Sequence, residues 1–497
     1  MMPIGKSSSV LEQTRWLVPA LLMLLAVAAR AQTFGNPVLG YDEQFYLLVG
    51  DRMLHGAIPF VDIFDRKPIG LFLIYAGIRL LGGEGTLQYE LVALLVAWST
   101  AVLVWRFARR LTAAPGALAA AAAYLIWLDF MEGEGGQAPV FFNLPMIGAA
   151  LLVERIIRRR SVTALSGALP MLLVGVAIQI KYTALFEGVF FGCALLWAAW
   201  RERNGAARIA ALAAGWVGVA LLPTSAAYLA YVAIGQGEAF LFANFISMWG
   251  KLPDPAITNI VGLLTIACII GPLLACAAFA PAPAPTSDQE ALSRRFVLQW
   301  LVAAILGMLA MRSFSTPQYA MPVIVPAVLA AAPLLGKAGV GQRTGWAALA
   351  ISFAISQLVI HSLQTLKGGA TEAAVLARAA TPTRGCLFVY DGYPALYRLT
   401  HSCLLSRFVF PGHLNMTNEG SAAALGVDPS VEVRRIMALR PETVTMDDPP
   451  FERVNRKTYA IMQRELARHY RRSFAMRTGD RQRLVYRRID GSQPPPS

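Results

Sequence analysis

The chain has 497 residues, of which 56% are hydrophobic and only 15% charged, and its formal net charge is +14. That balance excludes an ordinary soluble enzyme and is the composition of a polytopic α-helical membrane protein. The basic excess does not point to nucleic acid, because Lys and Arg fall in short clusters between apolar runs, without interleaved stacking aromatics.

In chain order, the first apolar run, Trp16–Ala31, reads as an uncleaved anchor: it is long for a signal-peptide core and lacks a small-x-small cut site before Gln32-Thr33. A polar stretch, residues 33–88, follows; it carries Tyr41-Asp42-Glu43 and then Asp65-Arg66-Lys67-Pro68. Ten further runs have spanning character: Tyr89–Phe107, Pro115–Phe130, Ala138–Val153, Leu165–Ile180, Ala184–Trp200, Ile209–Ile234, Ile257–Ala280, Phe296–Met311, Tyr319–Leu335 and Trp346–His361. Ile69–Leu81 is nearly all apolar but would make a helix only about 20 Å long, short of a hydrocarbon core of about 30 Å. If it lies on the surface, Arg106/Arg109/Arg110, Arg155/Arg158/Arg159/Arg160, Arg201/Arg203/Arg208, Arg294/Arg295 and Lys337/Arg343 share one side, the cytoplasmic one; if it spans, the pattern inverts. The first reading gives about eleven spans, the N-terminus inside, the C-terminus outside and surface-lying helices in a large first outer loop.

That loop holds Asp42, Glu43, Arg52, Asp62, Asp65, Arg66 and Lys67. The same side receives Glu132-Gly133-Glu134, Lys181-Tyr182, the loop Gly235–Ala256 with Lys251, and Arg312 before Pro317-Gln318-Tyr319. A lone Lys or Arg at a span end commonly snorkels to the headgroups. Carboxylates gain nothing from anionic headgroups, so Asp42-Glu43 needs another reason to sit at a membrane edge. Carboxylates that can deprotonate a hydroxyl, facing cations that can neutralise a phosphate, are the makings of a catalytic site.

After His361 the chain becomes charged, with short apolar runs between turn residues. Residues 364–492 read as a small α/β domain outside the membrane, with residues 1–363 as the membrane domain and 493–497 as a disordered Pro-rich tail; Pro281–Ser287 reads as a second disordered segment. Strands are predicted at Cys386–Tyr390, Leu404–Val409, Thr443–Met446, Arg472–Met476 and Arg483–Arg488, and helices at Pro394–Thr400, Ser430–Leu439 and Asn455–Tyr470. Cys193, Cys268 and Cys276 fall in spans, where buried packing is the default. Cys386 and Cys403 lie in the outer domain, where an oxidising compartment permits a bridge; the alternative is two small buried thiols too far apart to join.

No nucleophile elbow, P-loop, dinucleotide fingerprint or zinc-spaced His/Cys set is present, which disfavours hydrolases, ATP-driven pumps and dehydrogenases. No cofactor is expected and no metal site is assigned, although Asp42-Glu43 with Asp62 or Asp65 could hold a divalent cation if they converged.

Tyr41-Asp42-Glu43, Tyr46, Gly56, Pro59-Phe60, Asp62, Asp65-Arg66-Lys67-Pro68 and Gly82 together resemble the first outer loop of GT-C glycosyltransferases. The bacterial branch related to protein O-mannosyltransferases, the lipid A aminoarabinose transferase and rhizobial galacturonosyltransferases is the most similar. Gly175 with Lys181-Tyr182, and Met311-Arg312 with Tyr319, Pro322 and Pro326, resemble later motifs of that branch. Ile69 and Gln318 depart from it, standing where a second Pro and a His are common. The resemblance implies a bacterial inner-membrane enzyme that takes a sugar from a polyprenyl phosphate donor. It would pass the sugar, with inversion, to a hydroxyl of an envelope acceptor: lipid A, a polysaccharide, a glycolipid or a protein. On that reading Asp42 is the base and Glu43 an orienting carboxylate, Lys67 and Arg66 bind the donor phosphate, and Lys181, Arg312 and Arg52 are further phosphate candidates. Tyr41, Asp62, Asp65, Tyr182, Gln318 and Tyr319 are candidate acceptor or loop contacts. The rival reading is a non-enzymatic flippase or scaffold that binds the same lipid phosphate.

Overall fold

The computed structural model describes residues 7–278, 284–337 and 339–489. Helices dominate: α1 Ser7–Arg30, α2 Tyr41–Met53, α3 Ile69–Arg79, α4 Thr86–Ala108, α5 Ala114–Asp129, α6 Ala138–Arg159 and α7 Ala164–Ile178 come first. They are followed by α8 Ala184–Arg201, α9 Ala206–Ala233, α10 Gly237–Leu241, α11 Ala256–Ala278, α12 Asp288–Ala310, α13 Met321–Leu335, α14 Val340–Lys367 and α15 Ala370–Ala380. Among the described residues nine helices are long and apolar enough to cross a membrane. The two remaining sequence runs form the shorter apolar helices α5 and α7, of 16 and 15 residues. The Pro-rich tail and the first part of Pro281–Ser287 lie outside the described residues.

The chain divides into two compact units. The first comprises 1–34, Glu90–Ser225 and Ala256–Ile360, and is a helical bundle. Its successive helices alternate in direction, so the links α4–α5, α6–α7, α8–α9 and α13–α14 and the start of α12 fall at one end. That end carries Arg109, Arg110, Arg158, Arg159, Arg160 and Arg294. Packing there is close: a Cβ on Gly336, just after α13, would stand 2.2 Å from Thr112 Oγ1 and 3.3 Å from Gly116 Cα. Cys193 and Cys268, predicted to pack inside, are exposed on α8 and α11, while Cys276 is half-buried; both helices keep long apolar faces outward, which suits a lipid surroundings.

The second unit gathers Gly35–Tyr89, Ala226–Pro255 and residues from His361 onward. Here α2 and α3 pack side by side and run in the same direction, since Tyr46 meets Phe72 and, a turn on, Gly50 meets Tyr75 and Ala76. Gly50 is what permits the approach: a Cβ there would lie 2.6 Å from the α3 backbone. The parallel arrangement brings the two N-terminal ends, one carrying Asp42-Glu43 and the other preceded by Lys67, to the same place.

The C-terminal lobe is a four-stranded sheet in the order β1-β2-β4-β3, formed by β1 Leu387–Val389, β2 Thr443–Asp448, β3 Tyr470–Thr478 and β4 Arg481–Arg488. β1 and β2 are parallel, and the other neighbours antiparallel. Between the strands come α16 Ala395–Leu399, α17 Pro411–Asn415, α18 Ala422–Leu425, α19 Pro429–Ala438 and α20 Arg456–His469. The strand predicted at Leu404–Val409 is absent. That segment is irregular: the Arg407 carbonyl accepts from the Phe64 amide and Phe408 packs on Phe64, so it is tied to the outer loop instead of the sheet.

Cys386 and Cys403 are disulfide-bonded, with Cα atoms 5.2 Å apart and a sequence separation of 17. Closing a loop of that length stabilises the lobe by about 3 kcal/mol. Peptide mapping under alkylating, non-reducing conditions should recover the linked pair, and Cys386→Ser with Cys403→Ser should lower lobe stability by about that amount; two alkylated free thiols would contradict the bridge.

Candidate active site

Asp42, Asp65 and Lys67, from the loop between α1 and α4, come together around Tyr46 within the second unit. Asp42 and Glu43 occupy the first turn of α2, where the helix dipole favours negative charge. Glu43 is 2% exposed and its carboxylate folds back over Gly40, whose added Cβ would lie 3.0 Å from it. Asp42 is half-buried and its Oδ2 accepts a hydrogen bond from the Tyr46 hydroxyl at 3.2 Å. The Lys67 ammonium lies 5.4 Å from the centroid of that same Tyr46 ring. One aromatic side chain thus stands against both the carboxylate and the cation, a cation–π contact on its face and a hydrogen bond at its tip. Burial, and then the charges of Asp42, Asp65 and Glu43, push the Tyr46 hydroxyl well above its usual range, so it stays a proton donor.

Asp65 organises the cations. Its Oδ1 accepts from the backbone amides of Arg66 and Lys67 and meets the Lys67 ammonium at 3.5 Å. Burial pushes its carboxyl up, but Lys67, His413 and the two amides outweigh this and hold it below the usual carboxylate range. Asp65, read from sequence as an acceptor contact or metal ligand, is a buried brace, whereas the Lys67 side chain is 31% exposed.

Arg66 is differently committed. Its guanidinium makes a bidentate pair with Glu419, at 2.8 and 2.7 Å, while Nε donates to Ser247 Oγ and Nη2 also to the Ala424 carbonyl. A side chain so fully bonded and 8% exposed is a strut, which corrects its assignment as a phosphate ligand. Lys251 is the second cation on Glu419, at 3.1 Å and 29% exposed. Burial pushes the Glu419 carboxyl up, and Lys251, Arg66 and His413 more than reverse it.

Two other assignments are displaced. Arg52 sits in the last turn of α2, about 15 Å along the helix from Asp42, where it donates to the Ser402 carbonyl at 2.7 Å. Asp62 is exposed and closes a turn by accepting from the Ile58 amide at 2.7 Å. Asp42, Glu43, Asp62 and Asp65 do not converge: no metal-competent cluster of three such groups exists among the described residues. Tyr41 does face the site, edge-on to Phe410 at 5.1 Å, and its hydroxyl is held well above the usual range by burial and then by the charges of Asp391, Asp42 and Asp447.

Lys181, Tyr182, Arg312, Gln318 and Tyr319 belong to the first unit. The Lys181 ammonium stands 4.8 Å from the Tyr319 ring centroid, so these two form a pair of their own. Arg312 is exposed, with a left-handed backbone (φ 50°) just after α12. Tyr182 and Gln318 are half-buried at the starts of the neighbouring turns.

Sequence reasoning missed His413, Glu419 and Ser247. His413, on α17, is 4% exposed among Phe45, Phe64, Phe408 and Phe410, and its Nδ1 has no hydrogen-bond partner among the described residues. Burial lowers its pKa to about 4, against the pull of Glu419 and Asp65. No local pattern announces these residues, because each lies far along the chain from the loop it supports, Ser247 by 181 positions from Arg66 and Glu419 by 353.

Known proteins were compared with this chain. The family model described as dolichyl-phosphate-mannose-protein mannosyltransferase matches residues 65–236. No curated protein sequence matches. Among solved structures, ArnT from Cupriavidus metallidurans bound to undecaprenyl phosphate is similar over 98% of this chain and 99% of its own, with a TM-score of 0.60 at 14% identity. The Archaeoglobus fulgidus oligosaccharyltransferase in its apo form is similar over 87% of this chain and 69% of its own, with a TM-score of 0.51 at 11% identity.

Two measurements test the division of labour. Arg66→Ala should destabilise the protein by about 1.5 to 3 kcal/mol, because buried Glu419 loses its bidentate partner and keeps Lys251, and thermal unfolding in detergent reads this. His413 binds a proton in the unfolded chain below about pH 6.5 but in the fold only near pH 4. Its neutral burial therefore contributes fully above the first value and is lost as pH falls toward the second, by up to about 3 kcal/mol. His413→Phe should flatten the stability profile in that window; an unchanged profile would contradict the assignment. The chain therefore shares the fold of these solved structures over most of its length, and the mannosyltransferase family model matches its residues 65–236.

Proposed function

We propose that this protein transfers a sugar from a polyprenyl phosphate donor to a hydroxyl of an envelope acceptor at the outer face of the bacterial inner membrane. The observation that carries the reading is Tyr46, which bonds Asp42 at its hydroxyl and carries Lys67 on its face. Base and phosphate ligand are thereby both held against one side chain.

In this mechanism the acceptor oxygen attacks the anomeric carbon, and the bond from that carbon to the donor phosphate oxygen breaks with inversion. The acceptor proton passes to Asp42, whose Oδ2 is kept in place by Tyr46. Polyprenyl phosphate leaves as a monoester, its new charge met by Lys67. A phosphate diester is already a good leaving group, so cationic stabilisation and one base suffice, and no strong general acid is required. Glu43, turned back on the helix start, is the candidate for orienting the acceptor. ArnT was crystallised with undecaprenyl phosphate, and a donor on that carrier suits the cationic loop of this chain.

Purified protein given a polyprenyl phosphate sugar and crude envelope acceptor should transfer the sugar. Asp42→Asn should cut turnover by about a hundredfold or more while leaving donor binding intact. Lys67→Ala should weaken donor binding about tenfold or more, the loss of one charge-assisted contact. Donor binding without transfer in the wild-type protein would instead favour a lipid-handling role, and full turnover by the Asp42 variant would remove it as the base.

A further inference from the structure

At the arginine-rich end of the helical bundle, within the first unit, lies a cavity of about 580 Å³. Arg109 and Arg110 from the α4–α5 link, Arg158 from the last turn of α6 and Arg294 from α12 line it. Ser287, the N-cap of α12, contributes a hydroxyl, while that of Thr286 is bonded to Glu290. Its volume falls in the usual range for small-molecule sites, about 300 to 1,000 Å³.

The charges do not balance. Glu154 is 1% exposed and is shared by Arg110 and Arg158, with Ser293 as a third donor. Glu290 is taken by Arg294 and by the Thr286 hydroxyl and amide. Two carboxylates thus stand against four guanidinium groups. The buried Nε of Arg158 finds no acceptor among the described residues. The 23-residue helix α12 also turns its N-terminal end, the positive end of its dipole, toward the cavity. A preference for basic residues at one membrane face explains the charge but not a walled space around which guanidiniums from three parts of the bundle gather.

Guanidinium forks, hydroxyl donors and a helix N-terminus are the groups that recognise a phosphate, which spreads its charge over several acceptor oxygens. We propose that this cavity binds a phosphate-bearing ligand, either the headgroup of an anionic lipid from the adjoining leaflet or a soluble phosphate compound. It does so independently of the outer-loop site.

The test uses the full-length protein, comparing wild type with Arg109→Gln/Arg110→Gln. Glu154 keeps Arg158 as a partner in that variant, so no buried carboxylate is stranded. Native mass spectrometry counts retained phosphatidylglycerol against phosphatidylcholine, and thermal shift follows inorganic pyrophosphate. Wild type should retain phosphatidylglycerol preferentially or be stabilised by pyrophosphate, and the variant should bind about tenfold or more weakly. A difference in the lipid arm alone makes the ligand a membrane lipid, and one in the pyrophosphate arm alone makes it soluble. Equal behaviour of wild type and variant in both arms overturns the proposal. Should the double substitution lower stability on its own, Arg109→Gln, at an exposed position, carries the same comparison.

Discussion

The buried pair between Arg66 and Glu419 is the constraint on which the outer-loop site rests. It joins three stretches of chain that are far apart in sequence: the end of the outer loop, the segment with Ser247 and Lys251, and the loop after α17. An ion pair taken out of water repays its desolvation only when nearly every donor and lone pair is used. Here Nε, both Nη atoms and both carboxylate oxygens are used, and Lys251 supplements the cationic side. Fixing Arg66 also fixes its neighbour. With Asp65 bracing both amides, the backbone at Lys67 has one direction to take, toward Tyr46.

From that anchor the rest of the site follows by helix geometry. The Gly50 contact lets α2 and α3 pack closely in parallel, so two N-terminal dipole ends point the same way. They favour anionic groups there: Asp42 and Glu43 in the protein itself and, on the functional reading, the phosphate of a donor. His413 fills the aromatic space behind Asp65, and its imidazole is kept neutral by burial.

Much of this was legible in the sequence. Apolar run lengths gave the helical membrane class and a C-terminal α/β lobe with most of its strands. That Asp42 and Lys67 stand against the same Tyr46 follows from two helix starts separated by a short loop. What could not be read depended on partners distant in the chain. Arg66 and Lys67 are adjacent and equally basic, and only Glu419, more than three hundred positions on, distinguishes strut from ligand. The irregular Leu404–Val409 segment has a strand's composition, but its backbone bonds go to Phe64. Cys193 and Cys268 have the hydrophobicity of core residues, yet on a helix surrounded by lipid the outward face is apolar too.

The alternation at Asp65-Arg66-Lys67, one basic side chain inward and the next outward, has a consequence for how such a loop changes over generations. Net charge is blind to order, but this fold is not. A transposed Lys-Arg would put a single ammonium where a planar fork must span both oxygens of Glu419, and a bulky fork where a compact charge rests on Tyr46. The order of the pair therefore matters as much as its charge: an exchange that conserves composition breaks both positions at once.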